Sequence, residues 1–118
     1  MPPHSGELMN AMRDAALKAG AMALAWFKAG GATDARIDWK HGGSPVSEAD
    51  YAVDVYLRET LGALLPDAGW LSEETADSAA RLGKERLFIV DPIDGTRAFI
   101  KGDPRWAVSI ALVESGRP

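Results

Sequence analysis

Residues 88–96 read FIVDPIDGT: three apolar positions, Phe88, Ile89 and Val90, run directly into Asp91, Pro92, Ile93, Asp94, Gly95 and Thr96. The apolar run suits a buried strand, and an acid placed just past it has water within reach only at its tip. Upstream, Trp70-Leu71 reads as a short strand that delivers Ser72, Glu73 and Glu74 in the same manner. The carboxylates of Glu73, Glu74, Asp91 and Asp94 thereby gather at strand ends, where they repel one another unless cations or protons compensate. Mg²⁺ meets that need economically, since it takes oxygen ligands and commonly keeps waters or phosphate oxygens in its other positions. Pro92 stiffens the chain between the two aspartates, and Gly95-Thr96 gives a backbone that a ligand can approach, with N–H groups at the start of a turn or helix. Metal ligands below and N–H donors above describe a seat for phosphate. The plainer reading, Asp91 and Asp94 as turn caps before a glycine, suits an isolated DxxD. It accounts less well for a complete DPIDGT that follows an apolar strand with paired glutamates upstream.

The rest of the chain is consistent with one domain around this turn. Its 118 residues, 47% hydrophobic, suffice for a single core. A net charge of -4 without any basic run argues against a nucleic-acid polymer or a membrane surface as partner. The absence of cysteine excludes disulfide scaffolds, zinc ribbons and thiol nucleophiles. MPPHSGELMN lacks the basic and long apolar regions of a leader, and no stretch approaches the roughly 18 apolar residues of a membrane span. A soluble protein is expected, with the cytoplasm as its default compartment.

From Ser5 onward, Leu8, Met12, Ala15, Ala16, Ala19, Met22, Ala23, Trp26 and Phe27 recur at helical spacing until Gly30-Gly31, which predicts a long first helix with its stripe in the core rather than on a ligand. ARIDWK alternates Ile37 and Trp39 with Arg36, Asp38 and Lys40, as a strand with one wet face does, and His41-Gly42-Gly43-Ser44-Pro45 breaks it. Ser47, with Asp50 three residues on, is a capping-box-like opening for a second helix. That helix presents Val53, Leu57, Thr60, Leu61 and Leu64 on one face and closes at Pro66. Residues 76–86 form a polar connector of unassigned conformation; WAVSIALV (106–113) suits a buried strand and 114–118 a turn. The layout is α+β, two helices packed on a mostly antiparallel sheet.

SPVSEAD (44–50), WLSEE (70–74), DPIDGTRAF (91–99) and WAVSIALV (106–113), in that order, resemble the inositol monophosphatase family of Mg²⁺-dependent, lithium-sensitive phosphomonoesterases. The resemblance implies the N-terminal part of the inositol monophosphatase and fructose-1,6-bisphosphatase-like fold. It further implies that Glu73, Asp91 and the Ile93 carbonyl bind a first Mg²⁺ and that Asp91 and Asp94 serve a second. Gly95 and Thr96 would meet the substrate phosphate through N–H groups, Glu73 and the Thr96 hydroxyl would orient the attacking water, and Asp50 would accept a hydrogen bond from Thr96. Glu74 would stand behind the ligands, and Lys40 to Ser44 resembles the loop that closes over the metals. The implied reaction is hydrolysis of a small phosphate monoester by Mg²⁺-activated water, with no protein nucleophile. Inositol phosphate, a 3'-phosphoadenosine nucleotide, histidinol phosphate and a sugar bisphosphate all remain open as substrates, and a homodimer is the expected assembly.

Ser72 and Ser47 stand where family members commonly carry Gly and Thr. Family enzymes continue through a second half with a further metal-binding aspartate in a Trp-Asp motif, and none of Trp26, Trp39, Trp70 and Trp106 is followed by Asp. Residues 1–118 are therefore expected to be the N-terminal metal- and phosphate-binding portion of such an enzyme. Two rivals stand beside this reading. Haloacid-dehalogenase-like phosphatases use a DxDGT whose aspartates lie two apart, whereas Asp91 and Asp94 lie three apart around a proline. A non-catalytic metal- or phosphate-binding module, or an interaction domain with an open sheet edge, is the alternative of another class. His4 and His41 are read as surface imidazoles, and Arg97, Lys101 and Arg105 as either an attraction for anions or a solvated face.

Overall fold

The first helix, α1 (Ser5–Leu24), turns a single stripe inward, burying Leu8, Met12, Ala15, Ala19 and Ala23 in the structure, a computed structural model that describes residues 5–39, 43–72, 74 and 85–114. The small alanines let its backbone approach α2 (Glu48–Leu64) closely. The helix stops at Leu24, short of Phe27. Trp26 and Phe27 instead lie in the following turn, and Phe27 packs 5.5 Å from Phe99 and 5.6 Å from Trp106, ring centre to ring centre. Helical spacing in the sequence cannot separate these two residues from the stripe that precedes them.

Strands β1 (Ile37–Trp39) and β2 (Pro45–Ser47) pair antiparallel, with Trp39 opposite Pro45. The break signals of 41–45 conceal β2, whose proline sits at the strand start where a missing N–H is tolerated. Trp39 is 66% exposed, contrary to the dry face expected for it, because this ribbon is separate from the main sheet. Ser47 caps α2 through a complete capping box with Asp50. The buried stripe of α2 then runs Ala49, Asp50, Val53, Asp54, Leu57 and Leu61, so two acids lie among its apolar residues.

The main sheet has the order β3 (Gly69–Ser72), β4 (Arg86–Asp94), β5 (Ala107–Glu114). β3 runs parallel to β4, with Ser72 opposite Val90, and β5 runs antiparallel to β4, with Asp91 opposite Ser109. The strand expected to end at Val90 continues to Asp94, with an irregularity between Asp91 and Asp94 that accommodates Pro92 and its missing N–H. Phe88, Val90 and Ile93 face the helices and join Val53, Leu57 and Leu61 in the core, while Val108, Ile110 and Leu112 pack against it from β5. A short helix, α3 (Thr96–Lys101), connects β4 to β5.

Behind α3, Gly102 has φ +81°, and a Cβ there would overlap the backbone of Lys28 and Gly31. Gly30 N–H donates to the Gly102 carbonyl at 2.9 Å and Thr33 N–H to that of Ile100 at 2.9 Å. The segment after α1 is thus seated on the helix that follows the DPIDGT turn. Among the described residues no helix is long and apolar enough to cross a membrane.

Candidate active site

The parallel pairing of β3 and β4 puts their C-terminal ends on one edge, which brings Glu74 beside Asp91. An antiparallel pair would send them to opposite edges. The junction of β2 and α2 closes on the same place. Ser44, Pro45, Glu74, Asp91, Gly95, Thr96 and Arg97 line a cleft of about 300 Å³. Of the residues read from the sequence, Glu74, Asp91, Gly95 and Thr96 share it. Asp94 is exposed and does not line it, and Ile93 buries its side chain while its carbonyl lies 3.1 Å from the Thr96 hydroxyl. Glu73, Lys40, His4 and His41 lie outside the described residues, as do positions 76–84 of the polar connector and residues 115–118 of the expected turn.

Asp50 is fully buried, yet it is the acceptor for a set of converging donors. Its Oδ2 accepts from the Ser47 N–H at 2.8 Å and from the Ser47 hydroxyl, and its Oδ1 accepts from Thr96 Oγ1 at 2.8 Å. A hydroxyl has one hydrogen and two lone pairs. With that hydrogen directed at Asp50, Thr96 offers acceptor capacity to the cleft, where a water could donate to it. Gly95 supports this geometry in the left-handed region at φ +95°, and a Cβ would come 2.7 Å from the Arg105 carbonyl. The turn is therefore closed to larger residues, and the first N–H groups of α3 follow it without intrahelical partners.

The donor set consists of hard oxygens: the carboxylates of Glu74 and Asp91 in the cleft, that of the exposed Asp94 next to Gly95, and the Ile93 carbonyl. Among the described residues no sulfur or imidazole enters it. That chemistry fits Mg²⁺ better than zinc or copper. Among the described residues no group of three or more Asp, Glu, His or Cys side chains is placed to hold a metal by itself. Carboxylates beyond those residues would have to complete the site.

The basic residues after the turn divide. Arg97 lines the cleft and donates to the Gly43 carbonyl at 3.1 Å. Arg105 is committed elsewhere: its side chain and its backbone N–H both hydrogen-bond Asp103, and these bonds hold the Asp103 carboxyl down at about 2 while Asp103 raises the guanidinium in return. Lys101 is exposed at the end of α3. A second hollow, about 400 Å³, opens on the sheet face away from the helices, bordered by Leu71, Ile89, Asp91 and Ala111. Two residues of the site region escaped the sequence reading: Asp54, whose only signal was an acid one helical turn after Asp50 and next to the apolar Val53, and the side chain of Ser72, which it meets.

The model of the family described as "Inositol monophosphatase family" matches residues 5–118. A histidinol-phosphatase of Mycobacterium tuberculosis is 49% identical over 88 residues, which are 75% of this chain and 33% of that protein. A 3'(2'),5'-bisphosphate nucleotidase, CysQ, of Salmonella typhimurium is 42% identical over 80 residues, 67% of this chain and 32% of the relative. The chain thus spans about a third of the length of these curated relatives. The crystal structure of the extragenic suppressor protein suhB from Bartonella henselae superposes with a TM-score of 0.82 at 34% identity, covering 93% of this chain and 42% of that one.

Proposed function

The chain belongs to the inositol monophosphatase family, and on that premise we propose that it forms the metal- and phosphate-binding part of a Mg²⁺-dependent phosphomonoesterase. The observation that carries the reading is the Asp50–Thr96 hydrogen bond at the wall of a cleft that also holds Asp91 and Glu74. Asp50 holds the Thr96 hydroxyl so that its lone pairs face a water in the cleft. Gly95 and the start of α3 offer N–H groups to the phosphate oxygens, and Asp91 and Glu74 provide acceptor oxygens opposite them. Mg²⁺, when bound, supplies the Lewis acidity that screens the phosphate charge and acidifies water. Asp91, Asp94, the Ile93 carbonyl and Glu73 would hold it.

Histidinol phosphate is the substrate to test first, because the 49% identical relative is a histidinol-phosphatase. A nucleoside 3',5'-bisphosphate is the second reading, favoured by the CysQ relative. A cytoplasmic setting belongs to the same proposal, being where such metabolites and Mg²⁺ occur together. So does a homodimer, for which the open outer sheet face carrying Leu71, Ile89 and Ala111 is the candidate contact. The test is phosphate release by the purified chain from histidinol phosphate, inositol monophosphate and 3'-phosphoadenosine 5'-phosphate, with Mg²⁺ and with chelator. Mg²⁺-dependent release from one of them is expected. Release that persists in chelator, or a covalent aspartyl-phosphate, would overturn the reading.

A further inference from the structure

Asp54 lies one helical turn beyond Asp50 on α2, and both carboxylates are buried on the face that meets the sheet. Asp50 takes a hydroxyl from the turn after β4; Asp54 takes one from the end of β3, where Ser72 Oγ donates to its Oδ1. Ser72 is itself buried, and its hydroxyl also accepts the Glu74 N–H at 3.2 Å. One serine side chain therefore links the helix to the first turn past the strand.

Polar groups taken out of water inside an apolar interface are retained where they are hydrogen-bonded and specify a geometry. Here the geometry concerns two parallel strand ends that must deliver carboxylates to one cleft. Strand pairing alone fixes Ser72 against Val90 but stops there, one residue before the paired glutamates. The Ser72 hydroxyl carries the order onward to Glu74, which lines the cleft with Asp91.

We propose that Asp54 and Ser72 are a positioning pair that sets Glu74 relative to Asp91 and so determines how tightly the site takes a divalent cation. This rests on the metal-site reading given above. The pair touches neither substrate nor cation. It acts through the turn, as outer hydrogen bonds do around other metal centres, where their loss costs about 10- to 100-fold in affinity.

The test uses Mn²⁺ as the probe, with free Mn²⁺ measured by its electron paramagnetic resonance signal during titration of the purified chain and its variants. Ser72→Ala removes the bridging hydroxyl and is expected to weaken Mn²⁺ binding on the order of 10-fold. Ser72→Thr keeps the hydroxyl and restores wild-type binding, and Asp54→Asn, which keeps an acceptor oxygen, falls between them. Circular dichroism identifies any variant that has failed to fold, and the threonine variant then decides between positioning and bulk stability. Equal Mn²⁺ affinity in wild type, Ser72→Ala and Asp54→Asn would overturn the pair while leaving the metal site standing. Absence of Mn²⁺ binding by the folded wild-type chain would overturn the metal site, and the pair with it.

Discussion

The Thr96 hydroxyl donates to Oδ1 of Asp50 at 2.8 Å across 46 residues of sequence, joining the start of one helix to the start of another. The same aspartate caps its own helix through Ser47, so a single buried side chain serves local structure and the candidate site together. Thr96→Val keeps the shape and removes the hydroxyl. Its kcat for phosphate release is expected to fall at least about 100-fold with the fold intact, and Thr96→Ser is expected to stay within several-fold of wild type. Parallel kinetics and urea unfolding check this; a Thr96→Val enzyme at full rate would remove Thr96 from the chemistry.

Asp91 is the acid shared by the cleft and the outer hollow, and its loss should be felt in metal binding before anything else. Saturating Mg²⁺ at about 100 times its Kd would stabilise the wild-type chain by about 2.7 kcal/mol. Thermal melts with and without Mg²⁺ should show an upward shift in wild type and none in Asp91→Asn. Equal shifts in the two proteins would place the cation elsewhere.

Gly95 and Gly30 both have positive φ, but only Gly95 has backbone in the path of a Cβ. Gly30→Ala meets open space and carries only the left-handed strain, about 1 kcal/mol. Gly95→Ala adds a collision with the Arg105 carbonyl and should cost about 2–4 kcal/mol, with turnover lost as the turn is displaced. Denaturant midpoints of the two variants measure the difference, and equal midpoints would mean that the segment at Arg105 yields freely.

Asp103 offers a check on the electrostatics remote from the cleft. Hydrogen bonds from the Arg105 side chain and N–H lower its carboxyl from 3.8 to about 2. A depressed carboxyl stabilises the fold above its unfolded value of 3.8, and that contribution disappears as pH falls through about 2. The side-chain carboxyl carbon of Asp103 should therefore titrate near 2 by NMR and move back toward 3.8 in Arg105→Ala. An unchanged midpoint in that variant would assign the shift to another cause.

The elements that announce themselves by pattern were legible: the stripe of α1, the Ser47 cap of α2 and the apolar run of β4 into the turn. Direction and distance were not. Hydrophobic alternation carries no strand polarity, so the parallel pairing of β3 with β4, on which the cleft depends, is invisible in WLSEE. β2 hides because three residues beside Gly, Ser and Pro look like a break. Asp54 reads in isolation as a solvated helix position, and only the arrival of Ser72 18 residues later shows why an acid stands in the core stripe. Phe27 follows the same logic, since the aromatic cluster that receives it, including Trp106 5.0 Å from Phe99, is assembled from distant turns.

The central place of β4 has a consequence in time. It is hydrogen-bonded to β3 on one side and β5 on the other, whereas the ribbon of β1 and β2 has no third strand among the described residues. Its amides from Phe88 to Val90 should exchange with solvent only through near-global opening, while those of Ile37 to Trp39 exchange through local fraying. The DPIDGT turn is thus moored to the slowest-opening of the described strands, and the fraying is left to β1, since β2 is buried along its length. Whatever enters the cleft encounters a wall that persists as long as the fold does.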